Sequence, residues 1–219
     1  MDEIKYFVQT IVVPKYWEAA KGRGVRHLED VLHAARRLVA RELTDREYLT
    51  VALHDIGVGR AGFTRDEHPR AALVAIDTDE ALGPIRDMVD EEMRQAILCH
   101  MHDQYQTCGI LGPLHQLLVE ADEGAPVWGE IRIRKPVKYW LDGRNADMPP
   151  TSPLGVVVPH VLKVLRRKAS AFFSGEAPFT GRYLETFRKE ISEACAWING
   201  VGEDDVVSVI EAMKSGKAA

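Results

Sequence analysis

Two adjacent residues with metal-seeking side chains, His54 and Asp55, close the stretch Tyr48 to Gly57, YLTVALHDIG. Imidazole nitrogen and carboxylate oxygen together suit divalent first-row transition ions better than calcium, which prefers an all-oxygen shell. Neighbours on a helix point about 100° apart. The pair therefore converges on one ion only at a helix terminus, where the backbone unwinds and Gly57 can turn. Further donors stand on either side in the chain: His27, His68, His100 and Asp122.

The elements that must position these donors read as helices. Thr44-Asp45-Arg46-Glu47 is a capping box, so a helix starts there and runs to the His-Asp pair. From Val25 to Glu42, Leu28, Val31, Leu32, Ala35, Leu38 and Val39 follow the spacing of an amphipathic helix, with His27 in its first turn. Residues 3 to 21 predict a helix that Pro14 ends or kinks. After Gly57 a glycine-rich loop leads to a helix with His68 in its first turn, where Pro69 is well placed because a first-turn N–H has no partner to lose. Helices are expected over Asp79 to Met88, Glu91 to His102 and Leu111 to Glu123, so the six donors lie on five separate helices. The stretch from Val127 to Pro150 alternates and contains a DG turn signal, which predicts a short hairpin or an ordered loop. Helices then resume at about 155–173, 183–199 and 204–214, with Gly200 and Gly216 placed as stops. The expectation is an all-α chain: a metal-binding helical domain over 1–126, a connecting hairpin or loop over 127–152, and a helical extension over 153–219. The extension should pack on the domain, because Val156, Val157, Val158, Val161, Leu162 and Leu165 are too apolar to stay solvated.

Bulk properties exclude several classes. At 219 residues the chain can bury a core without disulfides. Hydrophobic residues at 46% and charged residues at 28% are ordinary for a globular protein. The net charge of −5, with no dominant Lys/Arg block, lacks the basic footprint of a nucleic-acid binder. Three cysteines without CxxC spacing fit reduced thiols. The acidic N-terminus lacks the features of a secretory signal, and no stretch approaches the roughly 18 apolar residues of a membrane span, so a cytoplasmic location is expected.

The ordered pattern H…HD…H…H…D resembles the HD superfamily of metal-dependent phosphohydrolases. RHLEDVLHAARRL is similar to the family's first helix, VALHDIG to its signature, EHPRAALVA to its third segment, AILCHMHD to its fourth and LLVEADEGAP to its last. The resemblance covers roughly Val25 to Pro126 and implies an HD-type helical bundle. It implies that His27, His54, Asp55 and Asp122 hold one metal, and that His68 and His100 complete a second site with Asp55 bridging. His54 and Asp55 would then be central to catalysis. One or two divalent transition ions per chain are implied, with Mn, Fe, Co, Ni and Zn not distinguished. The implied reaction is hydrolysis of a phosphate ester or anhydride of a nucleotide or similar small phosphorylated compound by metal-activated hydroxide. Arg60, Arg65 and Arg70, near the pair in sequence, are candidates for phosphate binding through two-pronged hydrogen bonds, with solvated surface charge as the competing reading.

Other readings compete. His102 lies close to His100 and is a second-shell or substrate-contact candidate; His102-Asp103 also shows that the dipeptide recurs by chance. His33, His115 and His160 read as packed or surface residues. Gly57 to Gly62 fits GxGxxG, with Asp77 at a ribose-binding distance, but a dinucleotide site would need a strand over 49–54 and a series of βα units. Some HD-type proteins hold two irons and use oxygen on small polyols or phosphonates, and the same six donors would serve that chemistry. A metal-stabilised, non-catalytic interaction module is the third alternative.

Overall fold

The computed structural model describes residues 3–20, 23–101, 107, 109–124, 130–143, 148–174 and 179–216. Their regular structure is helical, with no strand among them. The chain divides into two compact units, Met1–Gly124 and Ala125–Ala219. No helix among the described residues is long and apolar enough to cross a membrane.

The first unit opens with α1 (Glu3–Phe7), a π-helical turn (Val8–Val12) and α2 (Val13–Ala20). Pro14 does not stop the chain. It sits just inside α2 after a widened turn in which the Val13 N–H donates to the Val8 carbonyl. An ordinary turn would drive the proline ring into the carbonyl four residues back, and the wider one relieves that conflict. Val8, Val12 and Tyr16 follow one another at four-residue intervals and are buried.

α3 (Arg23–Val39) begins two residues earlier than its apolar pattern suggested, which places His27 in the second turn. Ala40 ends it with a left-handed φ of 54°. α4 (Asp45–Leu53) starts on the expected capping box: the Thr44 hydroxyl accepts from the Glu47 N–H, and the Glu47 carboxylate accepts from the Thr44 N–H. Every residue of α4 from Tyr48 to Leu53 is buried. Because Leu49 to Leu53 are helical, the strand that a dinucleotide site would need is absent.

α5 (His68–Thr78) follows a short 3-10 turn, with His68 as its first residue and Pro69 beside it. The helix expected over Asp79 to Met88 is a 3-10 turn (Glu80–Leu82) running into the short α6 (Gly83–Arg86). α7 (Glu91–Leu98), capped by Asp90, ends before His100. α8 (Pro113–Glu123) stops at Gly124, which takes a φ of 60°. α3 packs chiefly on α8 and α2, α7 joins α8 and α5, and α4 lies among them.

The second unit corrects the expected hairpin. Glu130–Leu141 is a helix, α9. Ile133, Val137 and Trp140 are buried at helical spacing, and this longer pattern overrides the four-residue alternation of IRIR. The DG signal closes that helix instead of a hairpin: Asp142 and Gly143 donate to the Lys138 and Trp140 carbonyls, and Gly143 takes a φ of 67°. α10 (Leu154–Ser174) packs on α9, α12 (Arg188–Gly200) and α13 (Glu203–Lys214), with α11 (Gly181–Thr186) leading into α12. Val157, Val158, Val161, Leu162 and Leu165 are buried as expected of an apolar face, whereas Val156 remains exposed.

Candidate metal centre

Five helices of the first unit deliver six side chains to one place. His27 comes from α3, His54 and Asp55 from the residues just past α4, His68 from the start of α5, His100 from just past α7 and Asp122 from the last turn of α8. Asp55 stands between two groups. Its Oδ2 lies 3.4 Å from His27 Nε2 and 3.7 Å from His54 Nε2, and Asp122 Oδ1 lies 3.0 and 3.8 Å from the same two nitrogens. Its Oδ1 lies 2.8 Å from His68 Nε2 and 3.7 Å from His100 Nε2, which are 3.3 Å from one another.

The i→i−4 ladder of α4 gives out at the His54-Asp55 pair although His54 keeps helical angles of φ −58° and ψ −39°, and the hydrogen bonds there are rerouted. The Val51 carbonyl, which would accept the Asp55 N–H in a continuing helix, accepts the His54 Nδ1–H at 2.7 Å. The Asp55 N–H donates instead to the Tyr16 hydroxyl at 3.1 Å, and that hydroxyl donates to the Ala52 carbonyl at 3.0 Å. The Ile56 N–H has moved to the Leu53 carbonyl. The displaced groups of Val51, Ala52, Asp55 and Ile56 thus find partners. Gly57 is required by contact and not by a left-handed turn. A Cβ there would come within 2.3 Å of the Ala72 nitrogen and 2.4 Å of the His68 carbonyl oxygen, so the absent side chain lets α5 bring His68 against Asp55.

Tautomers follow from the partners. With Nδ1–H committed to Val51, His54 presents a lone pair at Nε2, and that fully buried atom has no hydrogen-bond partner. His100 donates Nδ1–H to the Ile97 carbonyl at 2.6 Å and likewise turns Nε2 inward. A buried acceptor without a donor is costly, and an ion removes the cost. Two ligands at about 2.1 Å from a common ion stand about 3 to 3.5 Å apart, and the separations here run from 2.8 to 3.8 Å. His27, His54 and Asp122 form one set with all donor atoms within 4.8 Å of each other, and His54, Asp55 and His100 form another. The residues therefore fit a divalent ion.

The charges suit that task. Burial would raise the Asp55 carboxyl, but the neighbouring His54, with the His68 and His100 imidazoles beside it, outweighs it and holds the group well below the usual carboxylate range. Asp122 is lowered in the same way: burial is outweighed by the His27 hydrogen bond and the surrounding imidazoles. Burial dominates at His54 and lowers its pKa, keeping it neutral as a ligand must be. At His27, burial is outweighed by Asp122 and Asp55, and the pKa rises.

Arg60 and Arg70 make their contacts elsewhere. Arg60 donates to the Thr78 hydroxyl at 3.3 Å, ten residues along α5 from His68 and so about 15 Å away. Arg70 is exposed and lies 3.9 Å from Glu67. The Arg65 side chain and His102 lie outside the described residues. His33 is exposed on α3. His115 is a packed residue: Nδ1 accepts the Leu111 N–H, and Nε2–H donates to the Cys99 carbonyl, leaving no lone pair for an ion. Sequence reading did not single out Tyr16. A hydroxyl that acts on two backbone groups leaves no spacing signal.

No protein-family model, curated protein or solved structure gave a significant match to this chain.

Proposed function

We propose that this chain is a metal-dependent phosphohydrolase of the HD type. It holds two divalent transition ions and hydrolyses a phosphate ester or anhydride of a nucleotide or related small phosphorylated compound. The observation that most supports this reading is the Asp55 carboxylate, whose two oxygens face separate pairs of imidazole nitrogens.

His27, His54, Asp122 and Oδ2 of Asp55 would hold one ion, and His68, His100 and Oδ1 the other. Such ions supply Lewis acidity, which acidifies water near neutral pH and draws charge off phosphoryl oxygens. The chain's own residues do the positioning. His54 and His100 are locked in orientation by the Val51 and Ile97 carbonyls, and Asp55 is anchored through its backbone by Tyr16. Four neutral imidazoles and two carboxylates offset only half the charge of two divalent ions. The loaded centre is therefore net positive and attracts an anionic substrate. Substrate approaches from the His27 and Asp122 side, where the side chains are 38% and 31% exposed while His54 and His100 are sealed at 0% and 2%.

The test is an anaerobically purified protein analysed for metal content and screened against nucleotides and other phosphate esters with phosphate release as the readout. Release that depends on metal and is lost in Asp55→Ala is the expected result. Oxygen consumption without phosphate release overturns it in favour of a di-iron oxygenase, and a retained metal with neither reaction makes the site a structural one.

A further inference from the structure

We infer that Tyr16 is a positioning residue for the metal centre: its hydroxyl cuts the end of α4 and so sets both oxygens of Asp55 between their two histidine pairs. This rests on the reading that the cluster holds ions.

Tyr16 contributes no donor to the centre and lies 39 residues before Asp55 in the chain. It is buried at 3% exposure, and its hydroxyl makes two backbone hydrogen bonds at once, accepting from the Asp55 N–H and donating to the Ala52 carbonyl. In an unbroken helix the Asp55 N–H would go to Val51 and the Ala52 carbonyl would take the Ile56 N–H. His54 itself keeps helical backbone angles, φ −58° and ψ −39°, so the ladder is first given up at the Asp55 N–H, the group that Tyr16 holds. The Val51 carbonyl accepts the His54 Nδ1–H at 2.7 Å, while the Asp55 N–H goes to the Tyr16 hydroxyl at 3.1 Å. The tyrosine hydroxyl, both donor and acceptor, pairs the two backbone groups left at the end of α4 and holds Asp55 by its own N–H. Phenylalanine fills the same space but leaves two buried backbone groups unpaired, one of them on Asp55 itself.

A merely structural tyrosine would affect melting alone; a positioning one affects the ions. The experiment compares wild type with Tyr16→Phe by cobalt(II) titration, following stoichiometry, affinity and the visible absorption of the bound ion, alongside thermal melting and circular dichroism. Tyr16→Phe should keep its helical spectrum, bind cobalt about 10- to 100-fold more weakly, as loss of an outer-shell partner does, and show an altered absorption band. Excess cobalt should restore the stoichiometry. If the variant fails to fold, 3,5-difluorotyrosine at position 16 keeps ring and hydroxyl while weakening the oxygen as an acceptor, and should lower affinity by a smaller factor. Wild-type affinity and spectrum in the folded substituted protein overturn the role of Tyr16 alone. No cobalt uptake by wild type overturns the metal reading beneath it.

Discussion

His68 Nε2 lies 2.8 Å from Oδ1 of Asp55, the shortest separation between a histidine and a carboxylate in the cluster. That contact ties the first residue of α5 to the residue just beyond α4, and it uses the oxygen that His27 and His54 leave free. Removing His68 or His100 should therefore lower the stoichiometry from two ions per chain towards one and spare the set of His27, His54 and Asp122. Metal analysis of His68→Ala and His100→Ala under metal-replete conditions checks this, with His33→Ala as the unaffected control. Two ions retained in both alanine variants would refute the division.

Ion uptake should release a proton from His27. Its pKa is raised above the ordinary histidine value of 6.5, since Asp122 and Asp55 outweigh burial. The proton is held below that raised pKa and is gone above it, while the ligand must be neutral. Apparent metal affinity should thus climb with pH through a midpoint above 6.5 and flatten beyond it. Calorimetric titration in buffers of different ionisation heat measures the proton count directly, and His27→Gln should lose that pH dependence along with part of the affinity.

Gly57→Ala should damage the centre without touching a ligand. The added carbon meets backbone atoms of α5 at 2.3 to 2.6 Å, and backbone does not rotate away as a flexible side chain does. Overpacking of this kind costs about 1–3 kcal/mol, and the displaced helix takes His68 with it. Denaturant melts and metal analysis should show both losses together; a destabilised variant with full metal content would separate the glycine from the site.

Thr44→Ala should destabilise the first unit by about 1 kcal/mol, the usual worth of an N-cap. Glu47 adds an acid-sensitive contribution: the Arg41 hydrogen bond outweighs burial and brings its pKa down to about 2 from 4.5. A carboxylate lowered on folding contributes stability above its unfolded pKa and loses it as pH falls through the folded one. The difference in stability between wild type and Glu47→Gln should therefore be full above pH 4.5 and fade towards pH 2. Urea denaturation at a series of pH values checks the window.

Much of the helical order was legible because its signals are local. The Thr44-Glu47 box specified the start of α4, and the apolar spacing of Leu28 to Val39 specified α3. The six donors could be collected in chain order because their types and order, H…HD…H…H…D, resemble a known ligand pattern. What escaped was set by tertiary contact. Arg60 is near the pair in sequence, yet its guanidinium runs to the far end of α5. IRIR alternates over too few residues to compete with Ile133, Val137 and Trp140 on one buried helix face. Pro14 marked a disturbance, but whether the chain stopped or widened depended on the π turn before it.

The shared carboxylate makes the proposed two-ion centre a lever. Its two oxygens lie on one rigid plane with the carbon between them, so a tilt that draws Oδ1 towards one ion swings Oδ2 relative to the other. An ion of larger radius in one position therefore changes the bite offered at the second. Metal preference then becomes a property of the pair, and mixed loading, such as iron beside manganese, should differ in affinity from the average of the two uniform centres.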